Sequence, residues 1–568
     1  MLIFIPLGII ASIFQLVILR EFSFSIAKNE LAFIIAAGIW IIFCSLGSII
    51  KTPKRFQDLP LFLAASFSFF IFTCLIHLAK LLTGLKYYEA PSLGLVLILS
   101  IALIGPTAFI IGNIFRSLVQ EYLKTNSSRK DIYAKFFAFE AMGFFIGGAA
   151  FTLYLNNYSN PLIFSLLPLL LVFKIKSCYK KILAASLILA LSLASFKAFN
   201  IILKKEFNNA RILLNLGTRY GPVIAAYKAG ATTIFSGGSL LASSEDKAGV
   251  EEFIHMSLSA AGPLEKKEIL FIGPALSGQI EEISKYKPGS LDCLQINPLI
   301  TKLSEEKLPN AVRNRVNFIT DDPGLYLKNT NKRYDAILMS MPAPSNLSLN
   351  RYFTEEFFQL ICLRLKPKGV FSFSIPSKRE ILSPQFAKFN SSIINAVDKV
   401  FRNKLLIPSD AMIITASNGQ KIQGSQLLEN FAKAKIKTDF FTIYHFKDFL
   451  SPSIGSYTQN MLDSKIAVNT NLNPTAFLNY LILEQIKFYP DIKIDFKKAK
   501  KNIIILLLVI GIIIISAASL SKKASCLLNT GVIGFSSIGL SSIIFVLFQV
   551  YCGALFWKLG LLIALLMA

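Results

Sequence analysis

Four short stretches carry most of what this sequence offers for chemistry: Gly273–Gly278, Gln295–Asn297, Thr320–Asp322 and Ser340–Pro344. Each follows an apolar run with strand character, so each is expected at a strand's carboxyl end, where open α/β sheets hold ligands. The first, Gly273-Pro-Ala-Leu-Ser-Gly278, has two glycines for a tight turn. Pro274 removes one N–H and fixes φ, so a ligand-cradling loop and a plain strand–helix turn both fit it. Asp321, beside Asp322, reads from its residues alone as a solvated loop carboxylate. Ser340 and Ala343 offer little, because an unactivated hydroxyl is no base near neutral pH and a methyl group moves no proton. Upstream, Glu251 and His255 share a helix face at i,i+4, either towards a substrate or in domain packing. Seven scattered Cys without a C-x-x-C pair, and only three His, argue against a zinc site or a disulfide framework, so no metal is expected.

Strand–helix alternation positions these stretches. About 206–250 reads as a small β region, with turn signals at Thr218–Gly221 and Ser236–Gly238 between the runs Val223–Tyr227 and Thr232–Phe235. Glu251–Ala261 reads as a helix. Strands at 269–272, 291–295, 315–319, 335–339 and 369–374 then interleave with helices at 277–285, 298–307 and 353–365. That order predicts a mainly parallel, doubly wound sheet.

The segment, about 204–498, lies between apolar blocks. A chain of 568 residues that is 53% hydrophobic, with 49 Phe and a mean hydropathy of +0.55, has the composition of a membrane protein. Candidate spans are 2–19, 31–50, 61–82, 93–115, 136–155, 161–174, 182–199, 502–520 and 531–556, with a last apolar stretch at 559–568. The net charge of +25 gathers in tracts beside these runs, such as Lys51–Arg55, Lys174–Lys181, Lys497–Lys501 and Lys522–Lys523. The lipid bilayer is therefore the expected partner, and no nucleic-acid motif appears. The basic loops after the second, fourth and sixth spans put the N-terminus inside and the soluble domain outside the cytoplasm. If the short span 161–174 does not cross, the domain is cytoplasmic. Glu140 lies inside a span, with Gly143 and Gly147 four apart for close helix packing. Glu21 and Glu30 fall on the loop between the first two spans, as an outer opening or as interface charges. Ser12–Arg20 has an echo in Phe545–Tyr551, as a parallel repeat or by chance.

The segment resembles the spermidine synthase family of polyamine aminopropyltransferases, through Glu251-Glu-Phe-Ile-His255, Leu349-Asn-Arg-Tyr-Phe-Thr-Glu-Glu-Phe-Phe358, Leu365-Lys-Pro-Lys-Gly-Val370 and Asn469-Thr-Asn-Leu-Asn-Pro474. Leu19-Arg-Glu21, Asn29-Glu30, Trp40, Glu140-Ala-Met-Gly143 and the run from Phe548 are similar to a membrane-fused branch, with a major-facilitator-like helical scaffold. The resemblance implies a multi-pass α-helical membrane protein with an inserted α/β Rossmann (methyltransferase-like) domain preceded by a small β subdomain. The divisions are 1–203 (about seven helices), 204–265 (β subdomain), 266–498 (Rossmann domain) and 499–568 (an incomplete second half). It implies decarboxylated S-adenosylmethionine as donor if the protein is active, with Gly273 and Gly278 in the donor turn and Asp321 near the adenine. It puts Gln295 where the family has an acid for the ribose hydroxyls. Ser340 occupies the position of the general base, and Ala343 that of its acidic partner. Losing three acids together points to a degenerate site in a ligand-binding or sensing module in the inner membrane, with a polyamine or nucleoside-like ligand. An active membrane-bound aminopropyltransferase and a transporter regulated by the soluble domain remain as alternatives.

Overall fold

The computed structural model describes residues 1–26, 28–50, 59–85, 89, 91–125, 132–488, 511, 516, 539–540 and 543–551. Most of the expected spans 502–520 and 531–556, and all of 559–568, lie outside the described residues, as do Lys51–Arg55, Lys497–Lys501 and Lys522–Lys523. The chain divides into two compact units.

The first unit is helical: α1 (Phe4–Ser25), α2 (Glu30–Ile49), α3 (Leu59–Leu82), α4 (Leu93–Leu103), α5 (Gly105–Thr125), α6 (Ile132–Leu153), α7 (Leu169–Val172) and α8 (Cys178–Glu206). Five of the described helices are long and apolar enough to cross a membrane, or six if α4 and α5, bent by 40°, make one span. The bend falls at Gly105-Pro106, where proline removes an intrahelical N–H. The glycines of α6 act as expected. A Cβ on Gly143 would lie 2.1 Å from the Ile5 carbonyl oxygen, and one on Gly147 2.9 Å from that of Ile9. Gly8 answers from α1, where a Cβ would lie 2.2 Å from the Glu140 carbonyl oxygen. The helices therefore meet backbone to backbone.

Two sequence expectations need correcting. Glu21 and Glu30 are not loop residues: α1 runs on to Ser25, Glu30 opens α2, and both are buried. The segment 161–174 is no continuous helix either. It is a 3-10 turn (Pro161–Leu166) followed by the single turn α7, interrupted at Pro168. It still travels the length of the bundle. At one end Arg20 Nη1 donates to the Asn156 carbonyl at 3.0 Å; at the other, Lys174 pairs with Glu121. The end of α8 returns to the first of these levels, where Glu206 meets His77 at 2.8 Å.

The second unit spans Phe207–Leu483 with a short piece at 157–159. A four-stranded antiparallel meander opens it: β1 (Arg211–Leu216), β2 (Val223–Lys228), β3 (Ala231–Ser236) and β4 (Ser239–Ser243). Helix α9 (Lys247–Ala261) leads to β5 (Glu268–Ile272), α10 (Gln279–Ser284), β6 (Ser290–Gln295), α11 (Pro298–Lys307), β7 (Val316–Thr320), β8 (Tyr334–Met339) and β9 (Leu365–Pro376). The hairpin β10 (Asn403–Ile407) and β11 (Ala411–Ser417) completes a seven-stranded sheet of order β10-β11-β9-β8-β5-β6-β7. β5 to β9 run parallel, whereas β11 pairs antiparallel with both β9 and β10. The sheet is thus mixed, and β10–β11 extends the strand set read from sequence. Apolar layers cover both faces, Ile254, Phe271 and Phe431 on one side and Phe353, Phe371 and Ile393 on the other. Burial on two faces explains why central strands such as Glu-Ile-Leu-Phe-Ile do not alternate. The chain reverses its progress at β5, with β6 on one side and β8 on the other, which opens a crevice at their carboxyl ends.

Replacing Gly143 by Val should force α1 off α6, because the contact it invades is backbone. The expected cost is about 1–3 kcal/mol of overpacking, read as a lower unfolding temperature of the detergent-purified chain. An unchanged temperature would mean that α6 sits elsewhere.

Candidate functional site

The crevice begins with glycine. Gly273, directly after β5, has φ +135°, and a Cβ there would lie 2.2 Å from the Ser340 carbonyl oxygen. Its N–H donates to the Leu294 carbonyl at 3.1 Å, while the Ser340 N–H donates to the Ile272 carbonyl at 2.9 Å. The ends of β5, β6 and β8 are thereby drawn together. Gly278 (φ +101°) is the left-handed residue that starts α10, with open space where a Cβ would go. α10 has only six residues, against the nine expected at 277–285.

Gln295 ends β6 and is 8% exposed; its Oε1 accepts the N–H of Ile296 at 2.6 Å. Asn297 caps α11 through the Leu299 N–H at 3.1 Å and donates to Thr218 Oγ1 at 3.2 Å, which ties the β subdomain's turn to the crevice. Asp321 is exposed, and its Oδ1 accepts the Asp322 N–H at 2.7 Å. Ser340 and Ala343 are half-buried, and the Ala343 carbonyl closes a turn with the Ser345 N–H at 2.7 Å. Gly273, Gln295, Asp321 and Ser340 thus stand at one sheet edge. None of the three imidazoles is hydrogen-bonded to Ser340. His255 is bonded to Tyr286 and Glu282, His445 Nδ1 to Thr442, and His77 Nδ1 to Ser25 and Glu206. Among the described residues no group of three His, Cys, Asp or Glu could hold a metal ion.

Sequence reasoning passed over Asp322, Arg351 and Tyr352. Asp322 caps helix Pro323–Asn329 through the Gly324 and Leu325 N–H groups, at 2.9 and 3.1 Å, and pairs with Arg351. Arg351 also donates to the Tyr352 hydroxyl at 2.6 Å. Burial pushes the Tyr352 hydroxyl up to about 12. Burial works against the Arg351 charge, but Tyr352 and Asp322 outweigh it and hold the group above its ordinary value. Asp322-Pro323-Gly324 was a readable helix start. The motifs around Arg351 and Asn469 interlock: Asn469 Nδ2 donates to the Phe353 carbonyl at 2.8 Å, and the Phe477 N–H to Asn350 Oδ1 at 3.1 Å.

Glu251 and His255 do not face the crevice chemistry as a substrate pair. Glu251 is 2% exposed and accepts the N–H groups of Asp439, Phe440 and Phe441 at 2.9, 2.8 and 2.7 Å. His255 is fully buried, bonded to Tyr286 at 2.9 Å and Glu282 at 3.0 Å, and stacked on Phe441. Both anchor the segment after β11 onto α9. In the helical unit, Glu21 pairs with Arg20 at 2.6 Å and lies 3.4 Å from His77, Glu30 accepts from Gln549 at 3.1 Å, and Glu140 is half-buried.

The family model of the spermine/spermidine synthase domain matches residues 247–404. A polyamine aminopropyltransferase of Leptospira interrogans is 28% identical over 188 residues, 31% of this chain and 36% of that protein. Polyamine aminopropyltransferase 2 of Aquifex aeolicus is 23% identical over 337 residues, 56% of this chain and 66% of that protein. The chain therefore spans between about a third and two thirds of the length of these curated relatives. The solved spermidine synthase of Thermotoga maritima is 17% identical, covers 44% of this chain and 88% of its own, and superposes with a TM-score of 0.37. The chain carries a spermidine synthase-like domain.

Burial alone would raise the Glu251 pKa, but the N–H groups of Asp439, Phe441 and Phe440 hold it below its ordinary 4.5. This stabilisation is fully present above about pH 4.5 and is lost as pH falls through the lower folded value. Glu251→Gln should cost roughly 2–3 kcal/mol at neutral pH and flatten the acid limb of the unfolding profile. Parallel profiles for both proteins would refute the anchoring role.

Proposed function

We propose that this chain is an integral membrane protein whose spermidine synthase-like domain binds a nucleoside-like ligand or a polyamine as a sensing module, without transferring aminopropyl groups. One observation carries the reading. The β5–β8 crevice keeps its backbone form, while its β8 rim presents Ser340 and Ala343, neither of which accepts a proton. Aminopropyl transfer needs a base to free the acceptor amine, and needs the amine held in line with the donor carbon. Binding needs less. Gly273, Gln295 and the exposed Asp321 still offer backbone approach, an amide and a carboxylate to a ribose and a base. The donor, decarboxylated S-adenosylmethionine, would meet those three residues.

The second reading is an active membrane-bound aminopropyltransferase. The names of the curated relatives favour it. The two readings separate on the full chain in lipid nanodiscs, titrated with decarboxylated S-adenosylmethionine and methylthioadenosine and assayed with a diamine acceptor. Micromolar binding without transfer is the expected result. Transfer by the unmodified chain, abolished by Gly273→Val, would establish the enzyme instead. Absence of binding at millimolar ligand would remove both.

Sidedness belongs to the same proposal. The broken segment 161–174 runs between the level of Arg20 and that of Glu121, which supports seven crossings before the domain. With the basic loops inside, the domain would lie outside the cytoplasm. A membrane-impermeant amine reagent applied to intact spheroplasts should then label exposed lysines such as Lys302 and Lys388. Labelling only after the cells are broken would place the domain in the cytoplasm.

A further inference from the structure

At the sheet edge opposite the crevice, the chain forms a second cleft, of about 700 Å3. It lies where α9 and α10 hand over to the amino ends of β5 and β6, walled on its third side by helix Gly424–Ala434 and the residues after it. Its lining includes Lys285, Lys287, Lys433, Lys435 and Lys437 against one acid, Glu265. Two of these lysines are already spoken for: Lys285 pairs with Glu282 at 2.6 Å, and Lys433 meets Glu429 at 3.7 Å. Among the described residues Lys287, Lys435 and Lys437 have no ion-pair partner, so three unpaired positive charges line one concavity against the single acid Glu265.

The backbone adds a second, independent observation. Lys287 has φ +50° and Lys435 φ +49°, the left-handed region that side chains other than Gly, Asn and Asp rarely enter. Lys435 caps the C-terminus of helix Gly424–Ala434, where glycine is the usual left-handed residue, and Lys287 lies two residues past the C-cap of α10. Lys266, next to the lining residue Glu265, has φ +67°. Three of the six described non-glycine residues with positive φ are thus lysines around this cleft. Strain retained at the rim of a cavity, on one residue type, points to a use for the side chain.

We infer that this cleft is a binding site for a small, multiply charged anion bearing phosphate groups. Its volume suits a small molecule, and a converging set of lysines is a point-charge cage for phosphate oxygens. The same chemistry could come from a soluble phosphate compound or from the headgroup of an anionic lipid. The site is separate from the crevice, and its occupancy does not depend on donor binding there.

The test uses the full chain in phosphatidylcholine nanodiscs at low salt, titrated calorimetrically with inorganic pyrophosphate and, separately, with short-chain phosphatidylglycerol below its micellar concentration. Lys287→Asn/Lys435→Asn removes two charges and keeps side chains that tolerate the left-handed backbone. Lys302→Gln/Lys388→Gln removes the same charge from exposed helical positions elsewhere in the domain. Saturable binding of either probe, weakened at least tenfold by the first pair and less than twofold by the second, would support the site and identify the source by which probe binds. Equal weakening by both pairs would reduce it to general attraction by a basic protein. Absence of binding to the unmodified chain at millimolar probe would overturn it.

Discussion

The contact between the backbone of Gly273 and the carbonyl of Ser340 is the constraint on which the α/β domain's architecture turns. It falls where the chain changes direction across the sheet, between β5 and β8. A side chain at 273 would collide with the Ser340 oxygen 2.2 Å away, so only glycine lets the strand ends close up. The reciprocal hydrogen bonds, Ser340 N–H to Ile272 and Gly273 N–H to Leu294, hold three strand ends in register. None of this involves the side chain at 340 or anything at 343. The crevice is a property of the backbone, whereas the chemistry it can do is a property of side chains, so the two can vary independently.

That separation also decides what the sequence could tell. Central strands and α11 were legible because burial on two faces writes an uninterrupted apolar run, and Asn297-Pro298 writes a helix start. The four crevice stretches followed, since strand ends in such a sheet converge by topology. Partners distant along the chain were not legible. Glu251 finds its hydrogen-bond donors 188 to 190 residues later, and nothing local distinguishes that carboxylate from one aimed at a substrate. Arg351 was in plain view inside a quoted motif, yet its pairing with Asp322 depends on two loops meeting at the rim. The hairpin β10–β11 lies past the last alternation of strand and helix, and its short strands carry no such pattern.

In the helical unit the packing is set by small residues and by breaks in the helices. Glycines at 8, 143 and 147 let α1 and α6 approach closely enough for backbone contact. Prolines 106 and 168 interrupt helices that composition alone reads as continuous. The acids expected on a loop proved to be interior: Glu21 shares a buried cluster with Arg20 and His77, which Glu206 joins from the end of α8. Charges of opposite sign held together at the ends of α1, α3 and α8 cost less than separate charges in the same surroundings, and they fix which helix ends meet.

Electrostatics links the two edges of the sheet. At the carboxyl edge, a pocket for a cationic amine would need negative charge. Asp322 is there, but its carboxylate is consumed by two N–H groups and the Arg351 guanidinium. Asp321 keeps an exposed carboxylate there, and the β8 rim presents the Ser340 hydroxyl and the Ala343 methyl. Such an edge can still hold a neutral ribose and base by hydrogen bonds, but it has little with which to draw in and deprotonate an amine. At the amino edge the imbalance runs the other way, with Lys287, Lys435 and Lys437, unpaired among the described residues, lining one cleft. The proposed roles rest on that contrast, with hydrogen-bonding groups at the carboxyl edge and concentrated positive charge at the amino edge.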